Sequence, residues 1–399
     1  MTTGSADQRS YRLTSIDLLR GAAIVLMAID HVRDFFLAAG VQDPMTDPNV
    51  SPALFATRWV THFCAPVFLL LAGTSAGLMA PRKTTAELSR FLLTRGLWLI
   101  FIEWFVISTA FTFAPGGMKE VGGLILVPMQ VIWAIGASMV VLAGAQYLGR
   151  RSCLLIGAAI LIAHNLLDPV WPPNSTPGQF QPLWVALHAQ MSRAAGPWLF
   201  RLAYPLIPWI GVMLFGFGIA GVFEQPPERR NAVLLRAGVI MVAAFAALRA
   251  LDLYGDPHPW QPHAAGIAPT IMAFLNTSKY PPSLLYLLMT LGPAAILCSF
   301  ADRMGGPLKT TLVMFGRVPF AFYVAHFYLI HLLSVLLGVA QGFDASQMMK
   351  IFFFYPKGYG ISLGGVYVVW LLVLVILYPF CRWVAAAKAR RRDWWLSYL

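Results

Sequence analysis

The chain has 399 residues, of which 58% are hydrophobic and only 12% charged. An ordinary soluble domain carries about a quarter charged residues, so this composition excludes that class. The formal net charge is +12, but the basic residues are scattered between apolar runs and form no basic domain. That excludes a nucleic-acid partner and fits the cytoplasmic excess of Lys and Arg in membrane proteins.

The opening stretch MTTGSADQRSYRLTS is polar and lacks the apolar core of a cleaved signal peptide. Apolar runs long enough to cross a hydrocarbon core of about 30 Å then recur along the chain. They fall at 16–39, 59–80, 90–114, 123–147, 150–167, 204–223, 232–251, 283–301, 310–338 and 361–384. Pro128, Pro208 and Pro319 are candidate kinks. The expected fold is therefore all-α and integral to the membrane, a polytopic bundle of about ten transmembrane helices. A tail at 1–14 precedes a transmembrane domain at 15–384, and a basic tail follows at 385–399.

Connecting segments alternate in charge. Arg82, Lys83 and Arg90, then Arg150 and Arg151, then Arg229, Arg230 and Arg236, then Arg303 and Lys309 mark one side, together with both tails. By the positive-inside rule that side is cytoplasmic, with both termini on it. The opposite loops are longer and less basic, including DPVWPPNSTPGQFQPLW and NTSKYPPS. Long loops in a compact protein are usually functional. Cys64, Cys153, Cys298 and Cys381 all lie in apolar segments without close paired spacing. Neither a disulfide framework nor a metal site follows.

The first run, LLRGAAIVLMAIDHVRDFF, carries Arg20, Asp30, His31, Arg33 and Asp34. A charge within lipid costs at least about 2.5–3.5 kcal/mol, so such groups are expected to face the bundle interior. Arg20 and His31 are eleven residues apart, which puts them on one helical face about 16 Å apart. Asp34 lies one turn beyond His31 and is placed to hold one imidazole nitrogen, leaving the other free. Upstream, TSID fits a capping box, with Thr14 as the cap and Asp17 three residues later.

Other polar groups inside the runs are fewer. His62 opens the second run, and Glu103 sits in the third with Arg95 as a candidate partner. Gln130 and Trp133 are candidate cavity residues. His164, Asn165 and Asp168 end the fifth run, as binding groups or as caps. Asn276, Lys279 and Tyr280 stand just before the eighth, Lys279 being the leading binding candidate. His326 and His331 are five residues apart, about 140° around a helix, so one should face a cavity while the other packs. His326 is preferred for the cavity. GFGIAG reads as a small-residue helix contact.

The spacing from Arg20 to His31 resembles the signature of the type-3 membrane acyltransferases. SIDLLRGAAIVLM resembles more closely the opening of the heparan-alpha-glucosaminide N-acetyltransferase-like family. YPLIPWIGVMLFGFGIAGVF, NTSKYPPSLLYLLMTLGP and FGRVPFAFYVAHFYLIHLL continue the likeness in order. The resemblance implies an acyltransferase of a bacterial inner membrane. It would take acetyl from cytoplasmic acetyl-CoA, or another acyl group from acyl-CoA, and pass it to a sugar hydroxyl or amine of an envelope glycan. It implies a catalytic role for His31, as base or as acyl carrier, with Asp34 orienting it. Arg20 would hold the donor, and Asp30, His62, Asn276, Lys279 and His326 would meet the acceptor. No metal is called for. The same intramembrane charges would also serve a transporter or flippase of a lipid-linked sugar, although no internal repeat is visible.

Overall fold

The computed structural model describes residues 4–38, 44–45, 47, 49–169, 186–391 and 393. In chain order its helices begin with α1 (Gly4–Phe36), α2 (Pro52–Val60), α3 (Cys64–Met79), α4 (Thr85–Ile102) and α5 (Ser108–Thr112). The middle of the chain forms α6 (Val131–Ala145), α7 (Gly149–Ala163), α8 (Leu206–Gly218), α9 (Pro227–Leu251) and α10 (Ile267–Leu275). The last are α11 (Leu284–Phe300), α12 (Gly306–Arg317), α13 (Pro319–Ala340), α14 (Ala345–Met348) and α15 (Leu363–Arg390). The strands are β1 (Ile125–Met129), β2 (Met191–Ala195) and β3 (Trp198–Leu202).

Among the described residues, seven helical runs are long and apolar enough to cross a membrane. They are Pro52–Arg82, Thr85–Thr112, Val131–Leu167, Leu206–Glu224, Pro227–Leu251, Pro319–Ala340 and Leu363–Arg390. Helix α11 is apolar but shorter. Helix α1, with its charges, is not in this set. As a straight rod the 37 residues of Val131–Leu167 would extend about 55 Å, nearly twice the hydrocarbon thickness. Gly149 breaks the rod with a φ of 83°, a left-handed conformation that suits a residue without Cβ. The chain turns there, and α6 and α7 both pack on α8.

Helix α1 is the hub. It packs against α3, α11, α12, α13 and α15, so its polar groups meet protein rather than lipid. Its approach to α12 is very close. A Cβ on Gly21 would overlap the Leu312 carbonyl, and one on Gly316 the Asp17 carbonyl. Association in lipid depends on van der Waals packing, which such small residues permit. GFGIAG makes contacts of the same kind, with Gly216 against Leu70 and Gly218 against Leu154. Helix α9 and the run Leu363–Arg390 bury only 17% of their apolar windows, against 61% for Leu206–Glu224, and so lie at the periphery. All four cysteines are buried and unpaired.

Several expectations are corrected. The chain is predominantly helical but not all-α, because β1, β3 and β2 form a three-stranded sheet in that order. Strand β1 runs parallel to β3, and β2 antiparallel to it. The apolar run expected from 123 thus begins as a strand and becomes helix only at Val131. Pro128 sits in the edge strand β1, where a missing N–H is tolerated. The second run starts at Pro52, not 59, with Ser51 capping it by accepting the Leu54 N–H at 3.3 Å. The ninth run is two helices, separated at Val318 before Pro319. The last helix continues to Arg390, past 384. Thr14 does not cap α1, which already runs from Gly4. Asp17 is mid-helix and pairs with Arg20 at 3.0 Å. Between the helices, Lys350 pairs with Glu120 at 2.6 Å and holds its carboxyl below the usual range. The loop stretch 172–179 lies outside the described residues.

Candidate functional site: two cavities along the first helix

Arg20, Ile24, Met27 and His31 recur at helical spacing and form one stripe on α1. The stripe lines two cavities. The first, of about 240 Å³, is lined by α1, α3, α4, α6 and α13. Its walls are apolar apart from Arg20, Ser75, Arg95 and Tyr323. The Arg20 guanidinium donates to Asp17 at 3.0 Å and to the Ser75 hydroxyl at 3.1 Å. The Arg95 guanidinium lies 5.5 Å from the Phe320 ring centroid.

The second cavity, of about 90 Å³, is polar. Asp30, His31, Asp34, Arg58, Gln130 and Lys279 line it, with Tyr204 and Tyr280. At about 10–15 Å³ per enclosed water, it has room for the reacting end of a polar molecule, not for an oligosaccharide. Met27, Phe68 and Val131 line both cavities. These three side chains are the wall between an arginine-bearing apolar chamber and a charged polar one.

His31 stands at that junction. Its ring centroid lies 4.3 Å from Phe327 and 5.3 Å from His326, and its Nδ1 is buried without a hydrogen-bond partner. His326 Nδ1 lies 2.5 Å from the Tyr323 carbonyl and 3.2 Å from that of Phe322. A carbonyl only accepts, so Nδ1 carries the proton and Nε2 presents a lone pair. That Nε2 is buried and unpartnered. Two imidazoles from opposite ends of the chain thus abut in space. His331 packs elsewhere, stacked on Phe113 at 3.9 Å with its nitrogens on the Ala110 and Met348 carbonyls.

The charges around His31 are mutually paired. Asp30 lies 2.7 Å from both Arg33 and Arg58. Asp34 lines the cavity but its Oδ1 accepts from Arg33 at 2.5 Å, so it pairs with the arginine rather than with His31. His62 is not among the lining residues. It is buried against the Tyr286 ring at 5.4 Å, and its carbonyl accepts the Tyr286 hydroxyl at 2.7 Å. Asn276 is also not among them. Its amide donates to the Met45 carbonyl at 2.7 Å, and its own carbonyl accepts from Arg249 at 2.7 Å. Lys279 faces the second cavity.

Glu103 is fully buried in a π-helical turn, Glu103–Ile107, and does not pair with Arg95. Its oxygens accept the Gln130 and Trp133 backbone N–H groups at 3.2 Å each. It therefore caps the N-terminus of α6, whose first N–H groups have no intrahelical partner, and fixes Gln130 and Val131 at the cavity wall. Trp133 contributes this backbone contact and does not line either cavity. Asn165 caps the neighbouring α11 by accepting the Leu284 N–H at 2.9 Å, so the end of the fifth run is a structural clamp. Arg58 was not foreseen from sequence. Its signal is an arginine one turn before His62 in an apolar run, open to the same cost argument as Asp30.

The fold and these cavities define a polytopic helical membrane protein with a charged chamber enclosed in its bundle. Among the described residues, no cluster of His, Cys, Asp and Glu is placed to hold a metal. The chain matches the family described as heparan-alpha-glucosaminide N-acetyltransferase, catalytic, over residues 12–254, and it belongs to that family. Membership points to a membrane acetyltransferase, and the family in general uses acetyl-CoA as donor. The match includes Arg20, His31 and Arg58 and ends before Lys279 and His326. No curated protein matches the chain.

Proposed function

We propose that this protein moves an acyl group, acetyl first among candidates, from cytoplasmic acyl-CoA to a hydroxyl or amine of an envelope glycan. The observation that carries the proposal is the meeting of the two cavities at Met27, Phe68 and Val131, with His31 beside that wall. The donor would enter the first cavity. Arg20 and Arg95 suit its phosphates, because guanidinium groups offer a fork of charge-assisted donors, and the apolar walls suit the arm leading to the thioester. The acceptor would occupy the second cavity. His31 would take the proton from its hydroxyl or amine as that group attacks the thioester carbonyl. The carbon–sulfur bond then breaks, and coenzyme A leaves as a thiol once protonated. A neutral imidazole suits this step near neutral pH. The likeness to the type-3 membrane acyltransferases supports the same direction. The deciding experiment measures acetyl-CoA binding and consumption by the purified protein in the presence of sugar acceptors. Uptake of a lipid-linked sugar without acetyl-CoA consumption would favour transport instead.

Arg20→Ala is expected to weaken acetyl-CoA binding by about 10–100-fold, the loss of one charge-assisted contact of about 1.5–3 kcal/mol. Arg20→Lys should recover only part, because the fork is lost. Unchanged binding in a folded Arg20→Ala protein removes Arg20 from the donor site.

The proposed setting is a bacterial inner membrane, with ten crossings and both termini in the cytoplasm. The charge alternation of the loops supports it. Single cysteines placed in 43–50 and in 172–179 should then react with an impermeant thiol reagent from outside. Protection of either stretch in intact cells would reverse the assignment.

A further inference from the structure

Among the described residues, Lys279 is a charged side chain of the second cavity that no carboxylate meets at ion-pair distance. The two aspartates there are taken up by Arg33 and Arg58 at 2.5–2.7 Å. Among the described residues the Lys279 ammonium has no carboxylate within ion-pair distance and no hydrogen-bond acceptor, and the Asp30 carboxylate that acts on it across the cavity is already held by Arg33 and Arg58. Its contact is the face of Tyr280, 5.2 Å from Nζ to the ring centroid. A ring quadrupole offsets only part of the cost of taking an ammonium from water. The residue is half-buried, not a surface lysine in open solvent.

Its backbone is also held in place. Asp256 accepts the Ser278 N–H at 2.8 Å and the Ser283 hydroxyl at 2.7 Å, on either side of Lys279. Lys279 and Pro282 form an antiparallel bridge across the same turn. The ammonium is thus presented from a fixed loop to the cavity that also holds His31. A charge fixed this way loses little freedom when it meets a ligand.

We propose that the second cavity selects an acceptor carrying an anionic group, a carboxylate or a phosphate ester, which pairs with Lys279 while the reacting hydroxyl or amine lies at His31. This rests on the acyl-transfer reading and deepens it by naming the acceptor's charge. The donor's own phosphates are answered elsewhere, by the arginines of the first cavity.

The test uses the full chain in phosphatidylcholine nanodiscs. Binding of glucosamine 6-phosphate and of glucuronate is measured against glucosamine and glucose. The charged sugars are expected to bind about tenfold or more tightly than their neutral counterparts, the ratio of one ion pair. Lys279→Met should erase that ratio and Lys279→Arg should keep most of it. Equal affinities, no binding of either charged sugar, or a ratio unchanged in a folded Lys279→Met protein overturns the proposal. A second arm adds phosphatidylglycerol to the disc. If the lipid stabilises the protein through Lys279 and the charged sugars do not bind, the anion is a headgroup and the sugar acceptor is wrong. Acetyl-CoA binding is read on the same samples. Donor binding without an anion preference defeats this inference alone, whereas no donor binding defeats the acyl-transfer reading.

Discussion

His31→Ala is expected to reduce acyl transfer by about 10²–10⁴-fold, the contribution of a positioned general base. Acetyl-CoA binding should stay within a few-fold, because the donor is proposed to occupy the first cavity and His31 lines only the second. The fold should survive as well, since no hydrogen bond ties His31 Nδ1 to the bundle. His326→Ala is the informative companion. His326 abuts His31 at 5.3 Å between ring centroids but does not line either cavity. Its loss should lower turnover less, by altering what His31 can pass its proton to. Single-turnover transfer from labelled acetyl-CoA, with donor binding measured in parallel, separates the two effects. If His31→Ala protein transfers at the unaltered rate, His31 is not the base, and His326 becomes the next candidate.

The stripe that carries this prediction was legible because it depends only on helical geometry. Arg20, Ile24, Met27 and His31 share a face at any position along a helix, and the cost of charge in lipid says which way that face turns. Asp30 and Asp34 follow from the same argument, whereas Lys279 is singled out by the polar stretch NTSKYPPS that resembles the family; all three line the second cavity. What geometry along one helix does not specify is the partner. Asp34 looked set to hold His31 because they are one turn apart, yet Arg33 occupies it. The choice between neighbours depends on where Arg58, from another helix, meets Asp30.

Misreadings elsewhere have equally local causes. TSID has the composition of a cap, but a capping pattern marks a helix start only if the preceding residues leave the helix, and here the helix extends back to Gly4. ILVPM is a short apolar run directly before an apolar helix, and periodicity alone does not separate a five-residue strand from the helix it adjoins. Its partner, Trp198–Leu202, lies far along the chain. Apolarity alone starts the second run at 59, one residue after Arg58, whereas the helix begins at Pro52. The juxtaposition of His31 with His326 is a tertiary fact, and no spacing within either helix encodes it.

Asp30→Ala is expected to be the most destabilising single change at the site. Asp30 is the shared partner of two guanidinium groups, and the Arg33 and Arg58 side chains are only 5% and 11% exposed. Arg33 keeps Asp34 at 2.5 Å, and Arg58 loses the Asp30 carboxylate. Breaking a buried pair from one side costs about 3–5 kcal/mol, because a buried charge loses a counter-ion. Against a typical total of about 5–15 kcal/mol, that is enough to lower yield and thermal stability markedly. Asp30→Asn keeps the shape and removes the charge, so it should fall between wild type and alanine. The diagnostic variant is Asp30→Ala combined with Arg58→Met. If the cost is the lost Asp30–Arg58 pair, removing Arg58 as well restores much of the stability, and the two substitutions are far from additive. Thermal unfolding of wild type, Asp30→Ala, Arg58→Met and the double variant in one detergent completes the cycle, with Asp30→Asn alongside. Additive losses would mean that Asp30 supports the fold through contacts other than Arg58. A stable double variant that still binds acetyl-CoA but no longer uses an acceptor would assign the ion pair to shaping the second cavity.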